Sequence, residues 1–210
     1  MAPRSSQPAF HIAMAAIGAA LPAAVVALTR SHATDVGDLL TRNCVRLSLA
    51  WYSAALCLMM FLGPDDWRAR TMRGRLARWC WTWALVCFVV HVAMAFHYFH
   101  HWSHAHAVEH TREVSGVGEG IFASYLFGVL WLLDAAYWWA VPAGYASRNA
   151  WIGRSLHAFM LFIVFNGAIV YEAGPIRWIA SLMFLALAGV WLASRSGSRA
   201  GFAVFPRENA

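Results

Sequence analysis

Six apolar runs of about 20 residues dominate the chain, at roughly 10–29, 44–62, 79–101, 120–145, 151–172 and 175–194. A helix needs about 20 mostly apolar residues to cross the hydrocarbon core of a bilayer. Backbone in lipid must satisfy its own polar groups, and for runs of this length the α-helix does so locally. The sequence therefore predicts an all-α integral membrane protein, a single domain over 1–210 with about six transmembrane helices. Composition agrees. The chain is 60% hydrophobic and 12% charged, against roughly 45–50% apolar and about 25% charged in a soluble domain. The polar stretches between runs are short, so no appended soluble catalytic domain is expected. The first apolar run exceeds the 7–15 residues of a signal-peptide core and is expected to stay as an uncleaved helix.

All 16 basic residues are arginine. Without lysine the chain can form neither a retinal nor a pyridoxal Schiff base, and it can hold no Walker A loop. The net charge of +6 reflects arginines placed in loops, the pattern of the positive-inside rule rather than of nucleic-acid binding. With six crossings, one side collects Arg4, the cluster Arg68, Arg70, Arg73, Arg75 and Arg78, then Arg148, Arg154, Arg195, Arg199 and Arg207. The other side holds Arg30, Arg42, Arg46, Arg112 and Arg177. This bias of 11 to 5 predicts both termini in the cytoplasm and a multi-pass location in a bacterial inner membrane. Residues 97–119 then face the periplasm. Trp79, Trp81, Trp83, Trp138, Trp139 and Trp151 read as an interfacial belt on the cytoplasmic side. Cys44, Cys57, Cys80 and Cys87 form no Cys-x-x-Cys pair and read as small apolar packing residues.

Seven of the ten histidines fall between 91 and 110. If the third run continues as a helix to about Glu113, the roughly 100° turn per residue puts His97, His100, His101 and His104 on one face. His106, His110 and Glu113 fall on the opposite face. Neutral imidazole suits zinc, copper and iron, so the first four are candidate metal ligands. Glu172, at a matching outer level, is the carboxylate that would complete a two-histidine-one-carboxylate set for non-haem iron. The competing reading is a solvated or pH-responsive helix end. His97-Tyr-Phe-His100-His101 resembles a histidine box of the membrane fatty-acid desaturases and hydroxylases. The resemblance covers five residues. Those enzymes use several boxes on cytoplasmic segments, whereas one box facing outward occurs here, so their activity is not carried over. His106-Ala-Val-Glu109-His110 has the inverted zinc-protease form, which carries no weight in a stretch this dense in histidine.

Ionisable residues inside spans are costly and mark function or packing. His91 and Asp134 are expected near the midplane as a pair, with Asn166 close by, either as a proton relay or as a hydrogen-bonded packing contact. Haem b is the alternative cofactor, with His91 and His157 as ligands, although their depths differ by about 9 Å. Three functions are open: a redox protein with a metal (copper, zinc or non-haem iron) or haem at its outer face, a metal-transport or metalloenzyme-assembly factor, and a structural subunit of a membrane complex. Membrane lipid, other membrane subunits or further copies of the chain are the expected partners, and nucleic acid is not.

Overall fold

The computed structural model describes residues 6–32 and 35–202, with side chains over 7–31 and 35–196. Arg4 and Arg207, and the side chain of Arg199, lie outside the described residues. Every regular element among the described residues is helical. In chain order these are α1 (Ser6–His32), α2 (Val36–Met59), α3 (Pro64–Trp67), α4 (Met72–Tyr98), α5 (His104–Ser115), α6 (Gly120–Ala140), α7 (Pro142–Ser147), α8 (Ala150–Phe165) and α9 (Pro175–Phe202). A π-helical turn, Asn166–Val170, extends α8.

Five helices are long and apolar enough to cross a membrane: α1, α4, α6, α8 with its π turn, and α9. The chain is thus all-helical and reads as a multi-pass membrane protein. The expected second span differs. The helix there starts earlier, at Val36, and takes in Asp38, Arg42, Asn43 and Arg46. Asp38 and Arg42 pair at 2.7 Å one turn apart. These groups pull α2 below the apolarity of a lipid-facing span. The expected fourth span is also shorter than its apolar run. Val141 leaves the helix (φ −136°) before Pro142, because proline has no N–H to donate and pushes its predecessor out of the α region.

The described residues cluster into two compact units, with the divisions falling inside α2, α4 and α6. One comprises Met1–Tyr52 and Arg78–Ala136, the other Ser53–Ala77 and Tyr137–Ala210.

In the first unit α4 is the central helix. α2 runs antiparallel to it, and the contacts step steadily along both. The buried Ser48 hydroxyl donates to the Ala84 carbonyl at 2.8 Å. His91 Nδ1 lies 2.9 Å from the Thr41 carbonyl. Tyr52 stacks on Trp81. At the far end, a Cβ on Gly37 would meet the Tyr98 ring at 2.8 Å. The pairing thus extends over Gly37 to Tyr52, about 22 Å of helix. α1 runs parallel to α4, with Trp79 donating to His11 at 3.0 Å and Trp83 to the Met14 carbonyl at 3.1 Å. Gly18 is required beneath Trp83, since any Cβ there would overlap the indole. α6 runs antiparallel on another side and contributes Phe127, Trp131 and Asp134.

The core here is aromatic. Trp81 and Trp131 are almost wholly buried and tilt together at 5.1 Å, with Tyr52 and Phe88 against them. Trp81 donates its indole N–H to Asp134 at 3.0 Å. This corrects the reading of the tryptophans as an interfacial belt: Trp81 has 0% exposure, as does Trp138 in the second unit. Trp151, at 69%, keeps belt-like exposure.

In the second unit, α3 and α7 pack together through a stack of rings. Trp138 donates to the Trp67 carbonyl at 2.8 Å. Its ring lies nearly parallel to Tyr145 at 4.8 Å. The loop before α4 turns on Asp66, which accepts from the Gly63 N–H at 2.8 Å and from the Thr71 hydroxyl. Those two bonds hold its carboxyl below the usual carboxylate range. A Cβ on Gly74 would come within 1.9 Å of the Asp66 carbonyl, so that close backbone approach requires glycine.

Trp81→Phe keeps a ring in the core but removes one hydrogen-bond donor from the buried Asp134 carboxylate. The expected loss of stability is about 1.5–3 kcal/mol, measurable by unfolding in detergent. Trp151→Phe, at an exposed position, should fall within about 0.5 kcal/mol of the parent; similar losses in both variants would contradict the assignment.

Candidate functional site

The histidine-rich segment is a helix–turn–helix rather than one long helix. α4 ends at Tyr98. The Phe99 and His100 amides both donate to the Ala95 carbonyl, and the Trp102 amide donates to Phe96. His101 (φ 47°) and Trp102 (φ 60°) then adopt the left-handed conformation in succession. Non-glycine residues rarely take it, and each costs on the order of 1–3 kcal/mol where it persists. Ser103 starts the next helix, its hydroxyl accepting from the His106 amide at 3.3 Å. Gly116, at φ 80°, closes that helix.

This turn corrects the single-face arrangement of His97, His100, His101 and His104. His97 stays in the last turn of α4, against the rings of Tyr98 and Trp102. His100 and His101 lie in the turn itself. His104 opens α5, and its Nδ1 lies 3.0 Å from the Tyr125 hydroxyl of α6, so it ties α5 to α6. The reversal instead brings residues of the two predicted faces together. The rings of His100 and His110 lie 5.4 Å apart, and those of His101 and His106 6.3 Å apart. His110 Nδ1 is also 3.8 Å from Glu113. His100 is the centre of this group. Partial burial and the neighbouring His110, His106 and His101 push its imidazole below the ordinary histidine range.

Glu172 belongs to the second unit. It sits in the turn after the π-helical segment, where its carboxylate accepts from the Ala173 amide at 3.2 Å. Arg177 clamps the same turn through the carbonyls of Glu172 and Val170. Among the described residues, no three His, Cys, Asp or Glu side chains are gathered to hold a metal ion. The imidazoles meet in twos.

His91 and Asp134, expected as a pair, each bond another group. His91 bonds the Thr41 carbonyl and Asp134 bonds Trp81. Trp81 and His91 are ten residues apart on α4, about 15 Å along its axis. α6 ends at Ala140 rather than near residue 145, so Asp134 lies closer to its helix end than the apolar run 120–145 implies. Asn166 donates to the Phe162 carbonyl of its own helix at 2.7 Å, where it opens the π turn. His91 lies in the first unit and His157 in the second. His157 lines an apolar cavity bounded by α8, α9 and the end of α2.

The indole of Trp81, which donates to Asp134, is hidden in sequence because tryptophan at a span end ordinarily signals the membrane interface. The break at 99–103 had one signal, Ser103 as a helix N-cap. No glycine or proline accompanies it.

No family model matches the chain, and no curated protein or solved structure is significantly similar to it.

Because His100 is held below its ordinary range, protonation favours the opened turn over the folded one. The stability that the turn draws from neutral His100 is complete above the ordinary histidine pKa and declines as pH falls through it. Amide exchange over 99–115 should therefore be faster at pH 5.5 than at pH 7.5, relative to the exchange expected for an unstructured chain. Equal protection at both pH values would contradict the clustering.

Proposed function

We propose that the chain is a six-crossing inner-membrane protein that captures a divalent transition-metal ion at its histidine turn and releases it again, as a metal-transport or metalloenzyme-assembly factor does. The observation carrying this reading is the convergence of His100 with His110 and of His101 with His106 around one reversal. Imidazole is a borderline ligand suited to zinc, copper and nickel. Two nitrogens per ion leave the remaining positions to water, so binding is weak and exchangeable, which suits cargo better than a resident redox centre. His100 is held toward its neutral form, the form that ligates.

α2 is the sixth crossing in this reading. Its support is the antiparallel run against α4 from Gly37 to Tyr52, which gives a polar helix protein contacts to replace lipid. The arginine bias then puts both termini in the cytoplasm and the histidine turn at the periplasmic face.

A redox reading is second. One feature favours it: His91 Nδ1 sits on the Thr41 carbonyl, the orientation that leaves Nε2 of a histidine for a metal or haem iron. A Soret band in the purified protein, lost in His91→Ala, would move this reading to first place.

Titration calorimetry with Zn²⁺, Cu²⁺ and Ni²⁺ in detergent tests the main proposal. His100→Ala and His110→Ala should each weaken binding about tenfold or more, His104→Ala should not, and affinity should fall from pH 7.5 to pH 6. Binding unchanged in both variants overturns the assignment. Absence of binding in the parent, with other membrane proteins co-purifying, replaces it with the structural-subunit reading.

A further inference from the structure

In the first unit, α2 differs from the helices beside it in what it presents outward. α1 exposes Ile12, Ile17 and Leu21, and α6 exposes Phe122, Leu126 and Val129. Side chains of this kind are as apolar as the acyl chains of lipid. Over 36–52, α2 exposes only Arg42 and Ala50. These two and the half-buried Arg46 follow at intervals of four residues, so they form one stripe along the helix.

Arg46 is the unusual member of the stripe. Arg42 pairs with Asp38 one turn away. Arg46 has no acidic partner among the described residues, and its guanidinium donates to the Asn43 side-chain oxygen at 2.9 Å. The Asn43 amide donates in turn to the hydroxyl of the buried Thr29 on α1, at 3.1 Å. Neutral side chains thus hold the cation in position and leave its charge uncompensated. Its level along α4 makes that costly. Thr41 faces His91 and Ser48 faces Ala84. Arg46 lies between those two levels, close to the middle of the apolar helix Met72–Tyr98. Charged side chains at mid-membrane are rare and ordinarily have a partner.

We propose that this stripe of α2 docks a membrane-spanning helix of another subunit, one that carries an Asp or Glu at mid-depth to pair with Arg46. Charge complementarity selects that occupant. A lipid phosphate lies about 15 Å from the middle of the hydrocarbon core, beyond the reach of an arginine side chain at that level. A second copy of the chain is a poor source of the carboxylate. Asp38 and Asp134 are the acidic residues of its long helices, and the first is paired with Arg42 while the second is buried against Trp81. The small side chain of Ala50 lets the partner helix approach closely. The proposal rests on the reading of α2 as a crossing helix and not on metal capture at the histidine turn.

The probe is an oligoleucine transmembrane peptide with one central Asp, compared with its all-Leu and central-Arg forms. Association with the full chain in phosphatidylcholine vesicles is read by energy transfer between labels. The Asp peptide should bind about tenfold or more tightly than the all-Leu peptide. Arg46→Gln should remove that preference, and Arg46→Asp should transfer it to the central-Arg peptide, so failure of one variant to fold leaves the other decisive. Arg46→Cys, with the native cysteines replaced, checks depth separately and should resist an impermeant thiol reagent from both faces. Labelling there would overturn the placement of Arg46 within the membrane. With Arg46→Cys protected, equal association of the three peptides with the parent would overturn the docking. So would a preference that survives in Arg46→Gln, or self-association of the chain that Arg46→Gln abolishes.

Discussion

A polar group buried in lipid must find its partner inside the protein, because no water is there to replace it. In the first unit α4 is where that constraint is met. Its indoles reach His11 and the Met14 carbonyl on α1, and Asp134 on α6. Its Ala84 carbonyl takes the Ser48 hydroxyl, and its His91 meets the Thr41 carbonyl, both on α2. Three helices are thus held to one by directional bonds as well as by packing. These bonds also fix depth. Once Trp81 is joined to Asp134, His91 is about 15 Å further along the axis, too far for a direct hydrogen bond between His91 and Asp134.

The same bonds position the candidate metal site. α4 delivers the histidine turn at its C-terminal end, Ser103 starts α5, and the His104–Tyr125 contact ties α5 to α6. The turn is held by two consecutive left-handed residues, one of them His101 itself. Strain of this kind persists only where the surroundings enforce it. Here it faces the imidazoles of two short segments toward each other, which one continuous helix cannot do.

Much of the helix plan was legible in the sequence, because apolar run length is a strong and local signal. Five of the six expected runs correspond to helices long and apolar enough to cross a membrane. What was less legible depends on neighbours. Nothing local distinguishes Trp81, whole in the core, from Trp151, exposed at a helix start. The placement of the histidines depends on neighbours in the same way. Helical periodicity continued through 99–103, where no glycine or proline marks the reversal, puts His100 and His110 on opposite faces, whereas their rings lie 5.4 Å apart. The cavity beside Arg148 and Arg154 was not anticipated, since it is formed by residues from five segments spread between Leu56 and Trp191.

The central claim is that the polar helix α2 crosses the membrane against α4, since this fixes the side on which the histidine turn lies. Cysteine labelling with a membrane-impermeant thiol reagent tests it most directly, with the four native cysteines replaced. Asp38→Cys and His101→Cys should be labelled from the same face of the membrane, and Phe61→Cys only from the other. Labelling of Asp38→Cys and Phe61→Cys from one face would show that α2 does not cross, and would contradict the topology on which the metal-capture reading rests.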